Sequence, residues 1–288
     1  MRYPDLAAFL KHGRAALSRG PVALIMAEDA AELDGTIRHH EARGFRAVVV
    51  FAPDALAIDA GIEARIHRVS YDTTADAATE RAVNAVIEAA PGIWLYYGYN
   101  AEYLFHPFCE TRSVGEMLAF HTEERRDAML TYVVDLYPSD LGAHPGAVAP
   151  GDAWLDKSGY YALARLDPVT KHPLERQLDF FGGLRWRFEE HVPRRRRRID
   201  RVALFRARPG LRLGADHTFN DPEYNTYACP WHHNLTAAIC SFRTAKALAT
   251  NAGSRDAVSS FHWGNSTRFE WHSRQLMELG LMEPGQWF

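Results

Sequence analysis

The chain has 288 residues, of which 47% are hydrophobic and 24% are charged, and it carries a net charge of −3. This apolar content excludes a mainly disordered chain, and the net charge excludes a protein that binds nucleic acid through overall positive charge. The apolar runs are far shorter than the ~20 residues that a membrane-spanning helix needs.

The first third of the chain alternates short apolar runs with amphipathic segments. The apolar runs predict four buried strands, at residues 21–26, 47–51, 66–69 and 93–97. The segments between them predict helices at residues 28–43 and 74–90, which end at Gly44 and at Pro91 with Gly92. This β-α-β-α-β order is typical of a parallel sheet with helices on its faces, in which ligands bind at the carboxyl ends of the strands.

The rest of the chain predicts less regular elements. Short helices at residues 114–120 and 122–126 precede a strand at 129–137, and residues 139–158 are rich in the residues of loops. A short strand at 202–206 and helices at 235–250 and 271–279 complete the predicted elements. We expect residues 1–245 to form the main domain and residues 246–288 to form a helical extension packed on it.

Two oxygen-bearing side chains, Asn100 and Glu102, follow the fourth predicted strand. At positions i and i+2 after a strand they can meet one hard cation and a diphosphate, because Mg²⁺ and Mn²⁺ prefer oxygen ligands. The alternative is a turn in which the Asn side chain bonds to its own backbone.

Residues 94–104, WLYYGYNAEYL, resemble the Asp-x-Asp-Glu-Phe-Leu region of glycosyltransferase family 2-like enzymes. Upstream, residues 22–33 and 37–45 are similar to the opening strand, acidic turn and first helix of that family. Downstream, residues 201–217 and the pair His232 and His233 resemble its late strand and the histidines after it. The resemblance covers most of residues 20–245.

The resemblance implies a GT-A-like α/β fold, with a mixed sheet that is mostly parallel in its N-terminal part and flanked by helices. It also implies a nucleotide-sugar donor and a divalent cation, manganese or magnesium. It places the nucleoside against Glu28, Asp29 and Asp54, and the metal ligands at Asn100, Glu102, His217 and His232. The sequence departs from the family at Asn100, where Asp is usual, and a neutral carbonyl predicts weaker cation binding.

The C-terminal histidines have two other interpretations. Cys229, His232, His233 and Cys240 are close enough in sequence for a zinc site, although structural zinc sites usually use paired Cys-x2-4-Cys or His-x3-5-His modules. Alternatively, these side chains serve as ordinary core or hydrogen-bonding groups.

A glycine pair, Gly182 and Gly183, lies among charged and aromatic residues and predicts a close backbone approach to a ligand. Asp179 is our candidate for the base that takes a proton from an acceptor hydroxyl, with Glu189 and Glu190 as rivals. Arg185 is a candidate for binding phosphate bidentately. The alternative is a hairpin turn over a buried aromatic cluster.

Five consecutive arginines, Arg194, Arg195, Arg196, Arg197 and Arg198, form the strongest charge run. The run predicts contact with an anionic membrane surface or a phosphorylated acceptor, and the alternative is a solvated loop. Nucleic acid is not expected as a partner, because no known nucleic-acid motif accompanies the run.

The resemblance implies a glycosyltransferase that moves a sugar from a nucleotide-sugar to an unidentified glycan, lipid-linked or protein acceptor, in a setting such as polysaccharide biosynthesis. The alternatives are a degenerate, non-catalytic nucleotide-sugar or glycan binding module, and a metal-dependent nucleotide-sugar hydrolase. Three cysteines and an N-terminus without a signal-peptide pattern predict a cytoplasmic protein, peripheral at the inner face of the membrane if the arginines bind there.

Overall fold

A computed structural model describes residues 1–227 and 234–287. The strands in these residues are β1 Arg2–Tyr3, β2 Val22–Met26, β3 Ala47–Ala52, β4 His67–Ser70, β5 Trp94–Tyr99, β6 Glu102–Phe105, β7 Ala128–Asp135, β8 Trp154–Asp156, β9 Tyr161–Leu166, β10 Pro173–Phe181, β11 Asp200–Arg206, β12 Ala237–Ser241 and β13 Ser266–Arg268.

The α-helices in the same residues are α1 Leu6–His12, α2 Leu33–Ala42, α3 Ala60–Glu63, α4 Ala78–Ala89, α5 Val114–Glu123, α6 Gly183–Arg187, α7 Arg243–Thr250 and α8 Ser273–Glu278. Short 3-10 turns lie at Arg14–Leu17, Pro150–Asp152, Glu189–His191, Arg194–Arg196 and Pro222–Asn225.

The chain divides into two compact units. The first unit contains Met1–Leu104, Thr111–Met129 and Val202–Asn225, and the second contains Phe105–Glu110, Leu130–Arg201 and the described residues from Thr226 onward. Residues on both sides of position 245, the predicted domain boundary, belong to the second unit.

The first unit is built on a mostly parallel mixed sheet flanked by helices, and this confirms the predicted α/β class. Its strand order is β1-β4-β3-β2-β5-β11. Neighbouring strands run parallel from β1 through β5, and β11 runs antiparallel to β5. Every side chain of β2 is buried, because a parallel strand covered by helices meets apolar surroundings on both faces. Helices α2 and α4 bury one apolar face each.

The second unit combines three strand pairs with short helices. Strands β7 and β12 pair in parallel, with residues 131–135 opposite 237–241. Strands β9 and β10 form an antiparallel hairpin, and β8 pairs antiparallel with β13. One core cluster of this unit packs Tyr137, Leu184, Leu248 and Phe261 together.

The four predicted strands of the first third are confirmed within one or two residues, whereas three other predictions were wrong in part. Residues 235–250 were predicted as one helix but contain β12 before α7, because a short apolar run suits a buried strand as well as a helix. The predicted loop 139–158 contains β8. The predicted helices at 114–120 and 122–126 form the single helix α5, which ends at Glu123.

Among residues 1–227 and 234–287, no helix combines the length and the apolar character needed to cross a lipid bilayer.

Candidate functional site

The strand order of the first unit reverses direction at β2. The chain passes from β2 to β3 and β4 on one side, and β5 then lies on the other side of β2. Connections that leave in opposite directions open a crevice beyond the carboxyl ends of the two strands, where α/β proteins bind ligands. Polar residues that follow β2 and β5 are therefore the candidates for a site.

Asn100 joins these two strand ends. Its side-chain oxygen accepts a hydrogen bond from the backbone N–H of Glu28 at 2.9 Å. Its Nδ2 donates to Asp29 Oδ1 at 2.7 Å and to the carbonyl oxygen of Ala31 at 2.9 Å. The backbone N–H of Asn100 donates to the carbonyl oxygen of Met26, the last residue of β2. Because Asn100 is fully buried, these bonds replace those that water would otherwise make.

Residues 28–32, predicted as the first part of a helix, form the turn after β2 instead. Helix α2 begins at Leu33, and Glu32 before it has a left-handed φ of 51°. Glu32 Oε2 accepts a hydrogen bond from the Tyr103 hydroxyl at 3.0 Å, and a Cβ atom on Gly35 would clash with this carboxylate. Burial, together with the Glu32 carboxylate, raises the pKa of Tyr103, so its hydroxyl stays a hydrogen-bond donor.

The turn after β5 is held by its own buried contacts. Ala101 has a left-handed φ of 58°, and its backbone N–H donates to Thr36 Oγ1 on α2 at 2.9 Å. Glu102 is fully buried, and its Oε2 accepts a hydrogen bond from the backbone N–H of Tyr99 at 3.0 Å. The Asn100 side chain bonds to Glu28, Asp29 and Ala31 and not to the backbone of its own turn, so the turn after β5 is not the Asx turn of the alternative interpretation.

Three of the predicted site residues meet in one place: Glu28, Asp29 and Asn100. Asp54 lies after β3 and accepts a hydrogen bond from the hydroxyl of Ser70 at the end of β4. His217 lies against β5, where its Nδ1 is 3.0 Å from the Tyr97 hydroxyl and the two rings are stacked. His232 lies outside the described residues, as do Cys229 and His233 of the zinc interpretation.

The donor atoms of the first unit do not form a ready cation site. Asn100 turns its Nδ2 toward Asp29 Oδ1, and its side-chain oxygen already accepts a backbone hydrogen bond. In the part of the chain that the structure describes, no group of three or more His, Cys, Asp or Glu side chains is arranged to hold a metal ion. The divalent cation stays a prediction.

Asp179, the predicted base, belongs to the second unit. Its Oδ1 accepts from Arg165 and from Arg198, each at 2.7 Å. Arg165 also contacts the buried Asp200 at 2.6 Å, and burial raises the pKa of Asp200. A proton-accepting role for Asp179 would have to compete with its two ion pairs.

The glycine pair joins β10 to α6 and does not form a hairpin turn. Gly183 has a φ of 60°, and a Cβ atom there would lie 3.0 Å from Asp135 Oδ2. Arg185 lies 3.5 Å from Asp135 Oδ1 and donates to the carbonyl oxygen of Arg198 at 2.7 Å. The close approach permitted by the glycines is therefore an approach to a carboxylate of the protein itself.

Sequence analysis missed Asp135, which is the last residue of β7 and fully buried. Burial raises its pKa, and its Oδ1 is buried with no hydrogen-bond partner. One sequence feature could have pointed to Asp135: it is the single acid of the otherwise mostly apolar run 128–137 and lies near the end of that run. Ligands bind at the carboxyl ends of parallel strands.

A second missed group surrounds Asp156 on β8, which is 1% exposed. Arg187 approaches its two oxygens at 3.0 and 3.3 Å, and Trp263 Nε1 donates to Oδ1 at 2.7 Å. The Tyr137 hydroxyl donates to the same oxygen, and the Arg187 guanidinium lies 4.5 Å from the centre of the Trp263 ring. The second unit thus contains a buried ion pair inside an aromatic cage.

No protein-family model matches this chain, and no curated protein matches its sequence significantly.

Proposed function

We propose that the protein binds a nucleoside diphosphate sugar at the crevice between the ends of β2 and β5 and transfers the sugar to an acceptor hydroxyl. One observation carries the proposal. The predicted donor-site residues Glu28, Asp29 and Asn100 come together where the strand order of the first unit reverses. This is the place at which α/β sheets bind their ligands.

A GT-A fold is the finer part of the proposal. It is supported by the parallel strands β1 to β5, by the antiparallel β11 beside β5, and by the turn at Asn100 directly after β5. Fold likeness alone does not define an activity, so we infer transfer from the residues of the site.

In the proposed reaction, the bond between the anomeric carbon and the diphosphate oxygen breaks. A bond from the acceptor oxygen to that carbon forms, the acceptor proton passes to a base, and the diphosphate leaves. Asn100 has a positioning role, because its three side-chain hydrogen bonds fix the ends of β2 and β5 relative to each other. Such fixed polar groups need no reorganisation during the reaction.

A non-catalytic binding module is the second candidate, and one contact favours it. Asn100 donates its amide N–H to Asp29 where the related enzymes have an acid, so both of its polar atoms are committed to the protein. Such a module would bind the donor in the same crevice without cleaving it.

Product analysis separates these functions. The protein is incubated with UDP- and GDP-sugars, with and without a mixture of alkyl glycoside acceptors, in buffer with and without Mn²⁺. Acceptor-dependent release of nucleoside diphosphate, lost in Glu102→Gln, supports transfer. Release of free sugar without acceptor indicates a hydrolase, binding without release indicates the module, and the absence of both contradicts the proposal.

A further inference from the structure

The second unit exposes an unusual concentration of apolar side chains. Among the described residues, six large hydrophobic side chains are exposed, and all but Met1 lie between residues 161 and 186. They are Tyr161 at 43%, Leu163 at 56%, Leu166 at 50%, Val169 at 85% and Trp186 at 42% exposure. Scattered apolar residues on a surface need no explanation, but a concentrated set marks an interaction site.

Two of these side chains belong to one face of the β9–β10 hairpin, and Trp186 of α6 contacts that face. Tyr161 and Leu163 are two residues apart on β9, so their side chains point to the same side. The Tyr161 ring stacks on Phe181 of β10 at 5.3 Å and meets Trp186 edge-on at 6.5 Å. Leu166 at the end of β9 is an odd number of residues from both and points to the opposite face, whereas Val169 lies in the loop at the tip of the hairpin. We call the following set the hairpin surface: Tyr161, Leu163, Val169 and Trp186.

The arginine run reaches the same face. Asp179 lies directly opposite Leu163 in the hairpin, and directly opposed side chains share one face of a β-ladder. Arg198 donates to Asp179 Oδ1 at 2.7 Å, and the backbone N–H of Ile199 donates to the carbonyl oxygen of Phe180 at 2.8 Å. The end of the run is therefore fixed beside the hairpin surface.

The five arginines divide into two sets. Arg197 pairs with Glu189 at 2.8 Å and Arg198 pairs with Asp179, so these two anchor the run. Arg194–Arg196 forms an exposed 3-10 turn, and within the described residues no carboxylate lies within ion-pair distance of these three guanidinium groups.

The charge balance of this region differs from that of the chain. Residues 160–200 contain ten Arg and Lys and six Asp and Glu, whereas the whole chain has a net charge of −3. Positive charge is therefore concentrated beside the exposed apolar side chains, although the protein as a whole is slightly acidic.

We propose that the hairpin surface and Arg194–Arg196 together bind the surface of an anionic lipid bilayer. Tyr and Trp prefer the boundary between headgroups and hydrocarbon, aliphatic side chains gain by entering the hydrocarbon, and arginines are attracted to anionic headgroups. A nucleic acid would use the charges and the aromatic rings, but it offers no apolar surroundings to Leu163 and Val169. This surface lies within the second unit and does not depend on the proposed transfer reaction.

Vesicle sedimentation with the full chain tests the proposal. Vesicles of phosphatidylcholine alone are compared with an equal mixture of phosphatidylcholine and phosphatidylglycerol, at low and at high salt. The wild type should bind the anionic vesicles and should lose most of this binding at high salt, since salt screens exposed charges.

The combined variant R194Q/R195Q/R196Q should bind anionic vesicles on the order of 100-fold more weakly. A matched variant, R14Q/R19Q/R46Q, removes three exposed arginines from the first unit and should bind like the wild type. The variant L163S/V169S should bind on the order of 10-fold more weakly but keep the salt dependence of the wild type. Its control A162S/A164S alters exposed positions on the same strand that lack a large side chain.

Circular dichroism and thermal melting of each variant show that the loss is not caused by unfolding. Equal binding of the wild type to both kinds of vesicle would overturn the proposal, as would identical behaviour of the two arginine variants. If L163S/V169S binds like the wild type and RNA competes with the vesicles, the surface is a general polyanion site and the lipid assignment is wrong.

Discussion

The two units differ in the buried groups whose pKa is shifted by burial. The first unit buries two histidines, His40 and His121, and burial lowers the pKa of each to about 4. The second unit buries carboxylates, and burial raises the pKa of Asp135 and of Asp200. Burial therefore favours the neutral form of these four groups. The two histidines resist protonation, whereas the two carboxyl groups resist deprotonation.

The direction of each pKa shift determines how the stability of the fold depends on pH. A histidine whose folded pKa lies below its unfolded value stabilises the fold above the unfolded pKa, and this stability is lost as pH falls. A carboxyl group whose folded pKa lies above its unfolded value stabilises the fold at low pH, and this stability is lost as pH rises through the folded pKa. Acid should thus remove the stabilisation contributed by His40 and His121 in the first unit but not that of Asp135 and Asp200 in the second.

The largest expected effect tests the buried ion pair of the second unit. Asp156→Ala leaves Arg187, whose side chain is 11% exposed, without its carboxylate, and should lower the free energy of unfolding by about 3–5 kcal/mol. Glu88→Ala removes one partner of the exposed Arg212–Glu88 pair in the first unit and should cost at most about 1 kcal/mol. Denaturant unfolding measures both, and equal losses would show that burial does not distinguish these pairs.

Acid titration of the first unit gives the next largest effect. As pH falls from 6.5 to about 4, the contribution of each of His40 and His121 to the free energy of unfolding should fall by about 3 kcal/mol. The reason is that the unfolded chain takes up a proton at each histidine and the folded chain does not. In His40→Phe, which preserves a ring against Tyr96, the loss of stability over this range should be smaller than in the wild type. His12→Phe alters an exposed position and serves as the control.

If the unfolding free energy of His40→Phe depends on pH as steeply as that of the wild type, His40 is not the group that takes up the proton.

A third prediction concerns the bridge between β2 and β5. Asn100→Asp replaces a donor with a carboxylate 2.7 Å from Asp29 Oδ1, and should lower the free energy of unfolding by about 2–3 kcal/mol at neutral pH. Added Mn²⁺ should restore part of this loss, because a cation can bind between two acids. Thermal melting with and without Mn²⁺ measures both effects, and unchanged stability would show that the bridge is not needed.

The smallest expected effect concerns Asp135. Asp135→Asn removes the group whose raised pKa disfavours the folded state as pH rises. The free energy of unfolding should change by no more than about 1–2 kcal/mol, as for an ordinary substitution. The difference in unfolding free energy between variant and wild type should move in favour of the variant as pH rises above 3.8. A pH-independent difference would contradict the assignment of a raised pKa to this carboxyl group.

Sequence patterns predicted the parallel strands of the first unit well, because runs such as residues 22–26 and 47–52 are apolar on both faces and lie between helical segments. They also placed Asp29 and Asn100 after strands, whereas the neighbourhood of these two strands is a finding of the structure. They did not predict that Asn100 would donate to Asp29, because this contact depends on the left-handed turn at Glu32 that delays α2.

The second unit was less predictable. Its strand β12 is short and uniformly buried, which makes its sequence compatible with a helix. Asp156 and Arg187 come from segments 31 residues apart, and no local pattern marks them as a pair. Long-range pairing of charged residues is fixed by packing, which no local sequence period encodes.

The central claim is that a nucleoside diphosphate sugar binds between the ends of β2 and β5, and hydrogen–deuterium exchange tests it most directly. The reporters are the backbone N–H groups of Glu28, Asn100 and Ala101, whose hydrogen bonds join the two turns. With UDP- or GDP-sugar present, exchange should slow in residues 27–32 and 98–103 and stay unchanged in α1. Protection confined to other segments, or no protection with any donor, would contradict the claim.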